Sequence, residues 1–139
     1  MINQRKSLPI GIQTFRTIRE GDYYYVDKTQ LAIDLIQGGT HYFLSRPRRF
    51  GKSLFIDTLK ELFEGNEPLF QGLAAHSQWD WGVKYPVLRF SFGSERFTDQ
   101  EGLAKSLDTQ LTYLERQYGL TPTFDHVGGR FSELILHVH

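Results

Sequence analysis

The run Arg46-Pro47-Arg48-Arg49-Phe50-Gly51-Lys52-Ser53 collects residue types that hold phosphate. It lies between a short apolar run, His41-Tyr42-Phe43-Leu44, and a helix-like segment opening Leu54-Phe55-Ile56. In a strand, tight loop and helix of this kind, backbone N–H groups of the loop and first helical turn point at the phosphates. The Lys reaches the β- and γ-phosphates, and the Ser hydroxyl binds Mg²⁺. On that chemistry Lys52 contacts phosphate, Ser53 ligates Mg²⁺, and the amides from Arg49 to Leu54 line the loop. Pro47 has no N–H to contribute. The usual pattern is G-x-x-x-x-G-K-[ST], and Arg46 stands where its first Gly would be. A bare Gly-Lys-Ser/Thr arises by chance in roughly one chain in fifteen of this length, so flanking residues must carry the argument.

Those flanks resemble one family. Tyr25-Val26-Asp27-Lys28-Thr29, followed after some sixteen residues by the Arg46–Leu54 run, is similar to the bacterial and archaeal AAA-ATPase-like domain family. Leu8-Pro9-Ile10-Gly11 and Tyr85-Pro86-Val87-Leu88 fit the same family, so the resemblance covers nearly the whole chain. It makes Arg46 a family feature and implies ATP with Mg²⁺ as the ligand. Tyr25 and Val26 then lie upstream of the loop, about where related NTPases contact adenine. The resemblance also implies a Walker B strand with terminal carboxylates after a helix like Phe131–Val138, and often a C-terminal nuclease-like domain of the PD-(D/E)XK type. No apolar strand ending in Asp or Asp-Glu follows the loop here. The expectation is therefore a truncated, N-terminal portion of an AAA-ATPase-like P-loop domain over residues 1–139, without the carboxylates for hydrolysis by itself.

The elements that must position the loop follow from periodicity. Tyr23–Val26 reads as a strand. Asp27 or Thr29 caps a helix carrying Leu31, Ile33, Leu35 and Ile36, which stops at Gly38-Gly39. His41–Leu44 reads as a buried strand. The helix after Lys52 places Leu54, Ile56, Leu59, Leu62 and Phe63 at near-helical spacing and ends at Gly65-Asn66. Residues 66–84 predict short turns with the aromatic anchors Trp79 and Trp81. Pro86–Phe92 reads as a core strand. Thr98 with Glu101 forms a capping box before a helix that repeats Leu103, Leu107, Leu111, Leu114 and Tyr118 and ends at Gly119. A last amphipathic piece holds Phe131, Leu134, Ile135 and Val138. The alternation predicts an α/β fold, a P-loop NTPase-like three-layer α/β/α arrangement with a parallel, incomplete sheet and adhesive edges.

Composition bounds the function classes. Sixteen basic and sixteen acidic residues balance, so no global field draws the 139-residue chain to nucleic acid or an anionic membrane. Cysteine is absent, which excludes a disulfide framework and thiolate metal sites. No apolar h-region follows the N-terminus and no window approaches a membrane span, so a cytoplasmic location without membrane contact is expected. His137 and His139 flank Val138 and read as exposed terminal histidines rather than a metal pair.

Besides a nucleotide-binding domain, two other readings stand. One is a non-catalytic interaction module or inactive remnant, partnered by further chain or by a second copy. The other is nucleic-acid binding through Arg46, Arg48 and Arg49.

Overall fold

The computed structural model describes residues 5–47, 49–93 and 98–139. Among them run α1 (Phe15–Glu20), α2 (Thr29–Gly38), α3 (Lys52–Phe63), a 3₁₀ turn at Glu67–Phe70, α4 (Gln100–Tyr118) and α5 (Val127–Val138). The helices expected after Asp27, after Lys52, before Gly119 and around Phe131–Val138 all form. The parallel sheet does not. Among the described residues, β pairing is limited to one isolated parallel bridge between Ser7 and Tyr23. The three-layer α/β/α P-loop arrangement is thus overturned, and the chain is helical with irregular connections.

The physical reason is that β-forming composition marks a segment as extended but does not supply a neighbour. Tyr23 meets Ser7 alone, through Ser7 N–H to Asp22 O (2.8 Å) and Tyr24 N–H to Ser7 O (3.0 Å). His41–Leu44 makes no ladder bond among the described residues, and all four side chains are exposed. The 87–91 stretch is held by helix side chains where a strand was expected. Ser91 N–H donates to Gln110 Oε1 (2.8 Å) and Gln110 Nε2 donates back to Ser91 O (3.0 Å). Tyr118 does the same for Val87: its hydroxyl accepts from Val87 N–H (3.1 Å) and donates to Val87 O (3.2 Å). Four extended residues span about 13 Å. Eight helical residues span about 12 Å. Gln110 and Tyr118 therefore reach both ends of the segment from one face of α4.

The chain divides into two units, Met1–Tyr85 and Pro86–His139. In the first, α1 offers Phe15 and Ile18 on one face, and the core gathers Phe15, Ala32, Ile33, Leu62, Leu69, Phe70 and Ala75. Trp79 and Trp81 anchor the irregular stretch as the sequence suggests. Trp79 lies edge-on to Phe63 (5.4 Å) and Trp81 lies against Phe70 (5.1 Å). α3 ends where expected: Gly65 is left-handed (φ 74°), Gly65 N–H bonds Leu62 O (3.1 Å) and Asn66 N–H bonds Glu61 O (3.1 Å). This is the Schellman closure that glycine permits.

In the second unit, Leu111 and Leu114 of α4 pack on Leu134 of α5, with Leu88, Phe90 and Tyr118 against them. Arg130 of α5 is buried in this unit. It donates to Glu115 through Nε (2.8 Å) and Nη2 (3.1 Å), to Thr112 Oγ1 (3.0 Å) and to Asp108. The α4 cap differs from expectation: Asp99, next to Thr98, accepts from Gly102 N–H at 2.8 Å. Removing an N-cap oxygen costs about 1 kcal/mol. Asp99→Ala is expected to lose that amount in urea melts followed by circular dichroism, whereas Thr98→Ala leaves the midpoint unchanged.

Candidate functional site

The Gly-Lys-Ser segment sits at the start of α3. Gly51 is the N-cap residue, left-handed at φ 78°, with no side-chain cap bond, and its carbonyl accepts from Phe55 N–H (2.9 Å). A β-carbon on Gly51 would meet nothing within 4 Å, so the ground before the helix is open. The requirement for glycine here is its backbone angle rather than space. Arg49 is also left-handed (φ 66°), an uncommon state for a residue with a side chain. Two left-handed residues flanking Phe50 turn the chain sharply into the helix and leave the Phe50 ring 59% exposed.

First-turn helical N–H groups have no intrahelical acceptor, and they carry the positive end of the helix dipole. Those of Lys52, Ser53 and Leu54 hold that position in α3. Lys52 Nζ folds back to donate to Arg46 O at 2.7 Å, which brings the ammonium to the start of the loop. Arg46, Pro47, Arg49 and Ser53 are exposed, while Leu54 is partly buried against the core. Arg48 lies outside the described residues.

Tyr25 and Val26 part company. The Tyr25 ring meets Phe15 edge-on (5.2 Å), and the Arg19 guanidinium lies over it (5.9 Å). Burial raises the Tyr25 phenol above its ordinary range, as for a packing residue. Val26 is 75% exposed.

Asp27 and Thr29 form a staple whose partners the sequence does not reveal. Asp27 Oδ1 accepts from Thr29 N–H (2.9 Å) and Oγ1 (2.6 Å), and Oδ2 accepts from Ala74 N–H (2.8 Å). Thr29 Oγ1, fully buried, accepts from Ala75 N–H (3.0 Å). The two side chains thereby fasten the start of α2 to residues 74–75. Burial pushes the Asp27 carboxyl up, but the hydrogen bonds from Thr29 and Ala74 together hold it below the ordinary carboxylate range. A group whose pKa is lowered by folding adds stability above its unfolded value, and that gain disappears as pH falls through the folded value. Asp27→Asn is therefore expected to be less stable than wild type at neutral pH. The gap should close in acid, measured as tryptophan-fluorescence melts across a pH series.

Buried carboxylates on α3 also have structural tasks. Asp57 Oδ2 accepts from Phe15 N–H (2.7 Å) and so caps α1, whose own N-cap Thr14 makes no side-chain bond. Glu61 accepts from Arg16 (3.2 Å) and from Asn66. Their sequence signal is a polar pair spaced i, i+4 on a helix otherwise anchored by apolar residues. Among the described residues, no three His, Asp or Glu side chains gather as a metal site, and His137 and His139 are exposed.

Residues 9–139 match the AAA-ATPase-like family, described as predicted AAA-ATPases. The chain belongs to this family. It is 59% identical over 136 residues to an uncharacterized protein in the vnfD 5′ region of Azotobacter chroococcum mcd 1. That alignment covers 97% of this chain and 26% of the relative, so the chain spans about a quarter of the relative's length. No solved structure matches. The family match contains the whole Arg46–Leu54 run and the Tyr25–Thr29 segment. Among the described residues, no helix is long and apolar enough to cross a membrane.

Proposed function

We propose that this AAA-ATPase-like chain binds the phosphates of a Mg²⁺-nucleotide, with ATP as the ligand, at the start of α3. The observation that carries this reading is the placement of Lys52. Its ammonium stands 2.7 Å from the Arg46 carbonyl, beside a helix start whose glycine N-cap makes no side-chain cap. Anion binding needs unpaired N–H groups, a positive helix end and a mobile cation, and the segment has the residues for all three.

In this reading the amides of Gly51 to Leu54 hold phosphate oxygens, and Lys52 leaves the Arg46 carbonyl to contact the β- and γ-phosphates. The exposed Ser53 hydroxyl ligates Mg²⁺. Arg46, Arg48 and Arg49 raise the local positive potential. Of the two adenine candidates, Val26 has exposed surface to offer, whereas the Tyr25 ring is engaged with Phe15 and Arg19. Mg²⁺ would supply charge neutralisation of the phosphates. The carboxylate nearest in sequence after Ser53, Asp57, is occupied in capping α1, so binding and not hydrolysis is assigned to these residues. ATP-driven conformational work belongs to the proposal for the longer family members.

The test is a thermal melt with and without Mg-ATP. Ligand at about a hundred times its dissociation constant adds about 2.7 kcal/mol to the folded state. Wild type is expected to shift upward and Lys52→Ala to lose the shift while keeping its unliganded melt. An equal shift in both proteins would refute the site. Binding to single-stranded nucleic acid that weakens steeply with salt, without a nucleotide shift, would favour the arginine cluster as a nucleic-acid contact instead.

A further inference from the structure

Neither Tyr25 nor Val26 can hold a purine by its flat face. The Tyr25 ring is engaged with Phe15 and Arg19, and the exposed Val26 side chain has no π-system. A nucleotide whose phosphates sit at the start of α3 needs another partner for its base. An aromatic side chain lying flat against a base is the common solution, because every base presents a π-face.

Phe50 has the position and the freedom for this task. It stands two residues before Lys52, so the α-carbons of the two lie within about 7 Å of one another. Left-handed backbone at Arg49 and Gly51 brackets it, and its ring stands in solvent. Among the described residues it meets no other aromatic ring, whereas Phe55, five residues further on, packs against the core of the same unit. A β-carbon on the adjoining Gly51 would meet nothing within 4 Å, so the space beside the ring at the helix start is open. The loop around it is cationic, since Arg46 and Arg49 are both exposed. A flat apolar ring set in a cationic loop matches a ligand that joins a flat base to a chain of phosphates. A protein partner held by contiguous apolar surface would find a single ring between an arginine and a glycine.

We propose that Phe50 is the stacking platform for the base of the bound nucleotide, its ring against the purine face while the first amides of α3 hold the phosphates. The inference rests on the nucleotide-binding reading above. It adds a residue that distinguishes a nucleotide from a bare polyphosphate, a discrimination that Lys52, Ser53 and the loop amides do not supply.

Calorimetric titration with two probes separates base from phosphate: Mg-ATP, and tripolyphosphate with Mg²⁺, which carries the phosphates and no base. Phe50→Ala is expected to weaken ATP about tenfold, as when an aromatic under a base is truncated, and to leave tripolyphosphate affinity unchanged. Phe50→Trp, which keeps a flat face, should hold ATP at least as well as wild type. The ring is exposed, so both variants should melt like wild type without ligand. A Phe50→Ala protein that binds ATP as tightly as wild type or loses both probes equally, or a Phe50→Trp protein as weak as Phe50→Ala, would overturn the stacking role and leave the phosphate site standing. A wild type that binds neither probe would overturn both.

Discussion

Arg130→Met is expected to cost about 3–5 kcal/mol, because removing one partner of a buried ion pair strands the other charge. Arg130 is 8% exposed and Glu115 3% exposed, so the carboxylate left behind has little access to water. The guanidinium satisfies both Glu115 oxygens, Asp108 and Thr112, so one substitution leaves several acceptors without their donor. Its pKa is raised, first by the hydrogen bonds to Glu115, against the opposing effect of burial. The expected observation is loss of α4–α5 helicity by circular dichroism at denaturant concentrations where wild type is folded. The double variant Arg130→Met, Glu115→Met should recover most of the loss, since an apolar pair of similar volume can replace a buried ion pair. Asp108 is exposed and can return to water. If the single variant melted like wild type, the network would not be a support of this unit.

Phe70→Ala is expected to be equally severe in the first unit, at about 3–5 kcal/mol for a fully buried aromatic truncated to methyl. Phe70 has no exposed surface and touches Phe15 (4.9 Å) and Trp81 (5.1 Å). The residues on either side are pinned, since Arg19 donates to Leu69 O (2.7 Å) and Gln71 O (2.6 Å). Those bonds hold the backbone in place, so the site cannot collapse to fill the void. Phe70→Leu should keep much of the lost stability. Trp79 and Trp81 both lie in this unit and are the two tryptophans of the chain, so indole fluorescence reports its unfolding directly. A Phe70→Ala midpoint within error of wild type would mean that the Phe15–Phe70–Trp81 contact contributes little.

The sequence was most readable where a local rule suffices. Gly65 and Gly119 close α3 and α4 in left-handed backbone, as their positions predicted, and leucine periodicity located α4. The parallel sheet was misread because aromatic and β-branched runs at 23–26, 41–44 and 87–92 describe a preference of the chain and not a partner. Only the folded structure reveals that an amide and a phenol on α4 take the place of a neighbouring strand. α1 was missed because its cap is 42 residues away in Asp57. At the candidate site, the phosphate-binding reading of Gly51-Lys52-Ser53 came from its flanking residues and stands as the proposal above. The contact of Lys52 with Arg46 depends on backbone angles at Arg49 and Gly51 that residue types suggest only for the glycine. Asp27 and Thr29 looked like a helix start, and that is what they are, with Ala74 and Ala75 as partners that no short-range pattern discloses.

The capping of α1 by Asp57 makes one helix depend on another. An isolated helix shorter than about 12 residues is marginal in water, because few bonds repay the cost of its first turn. At six residues α1 is below that length, and the Phe15 amide finds its acceptor on α3. α1 is thus a product of tertiary assembly, its first amide held by a carboxylate that α3 supplies. The protection of the Phe15 amide against hydrogen exchange is accordingly a gauge of α3, the helix that begins at Lys52.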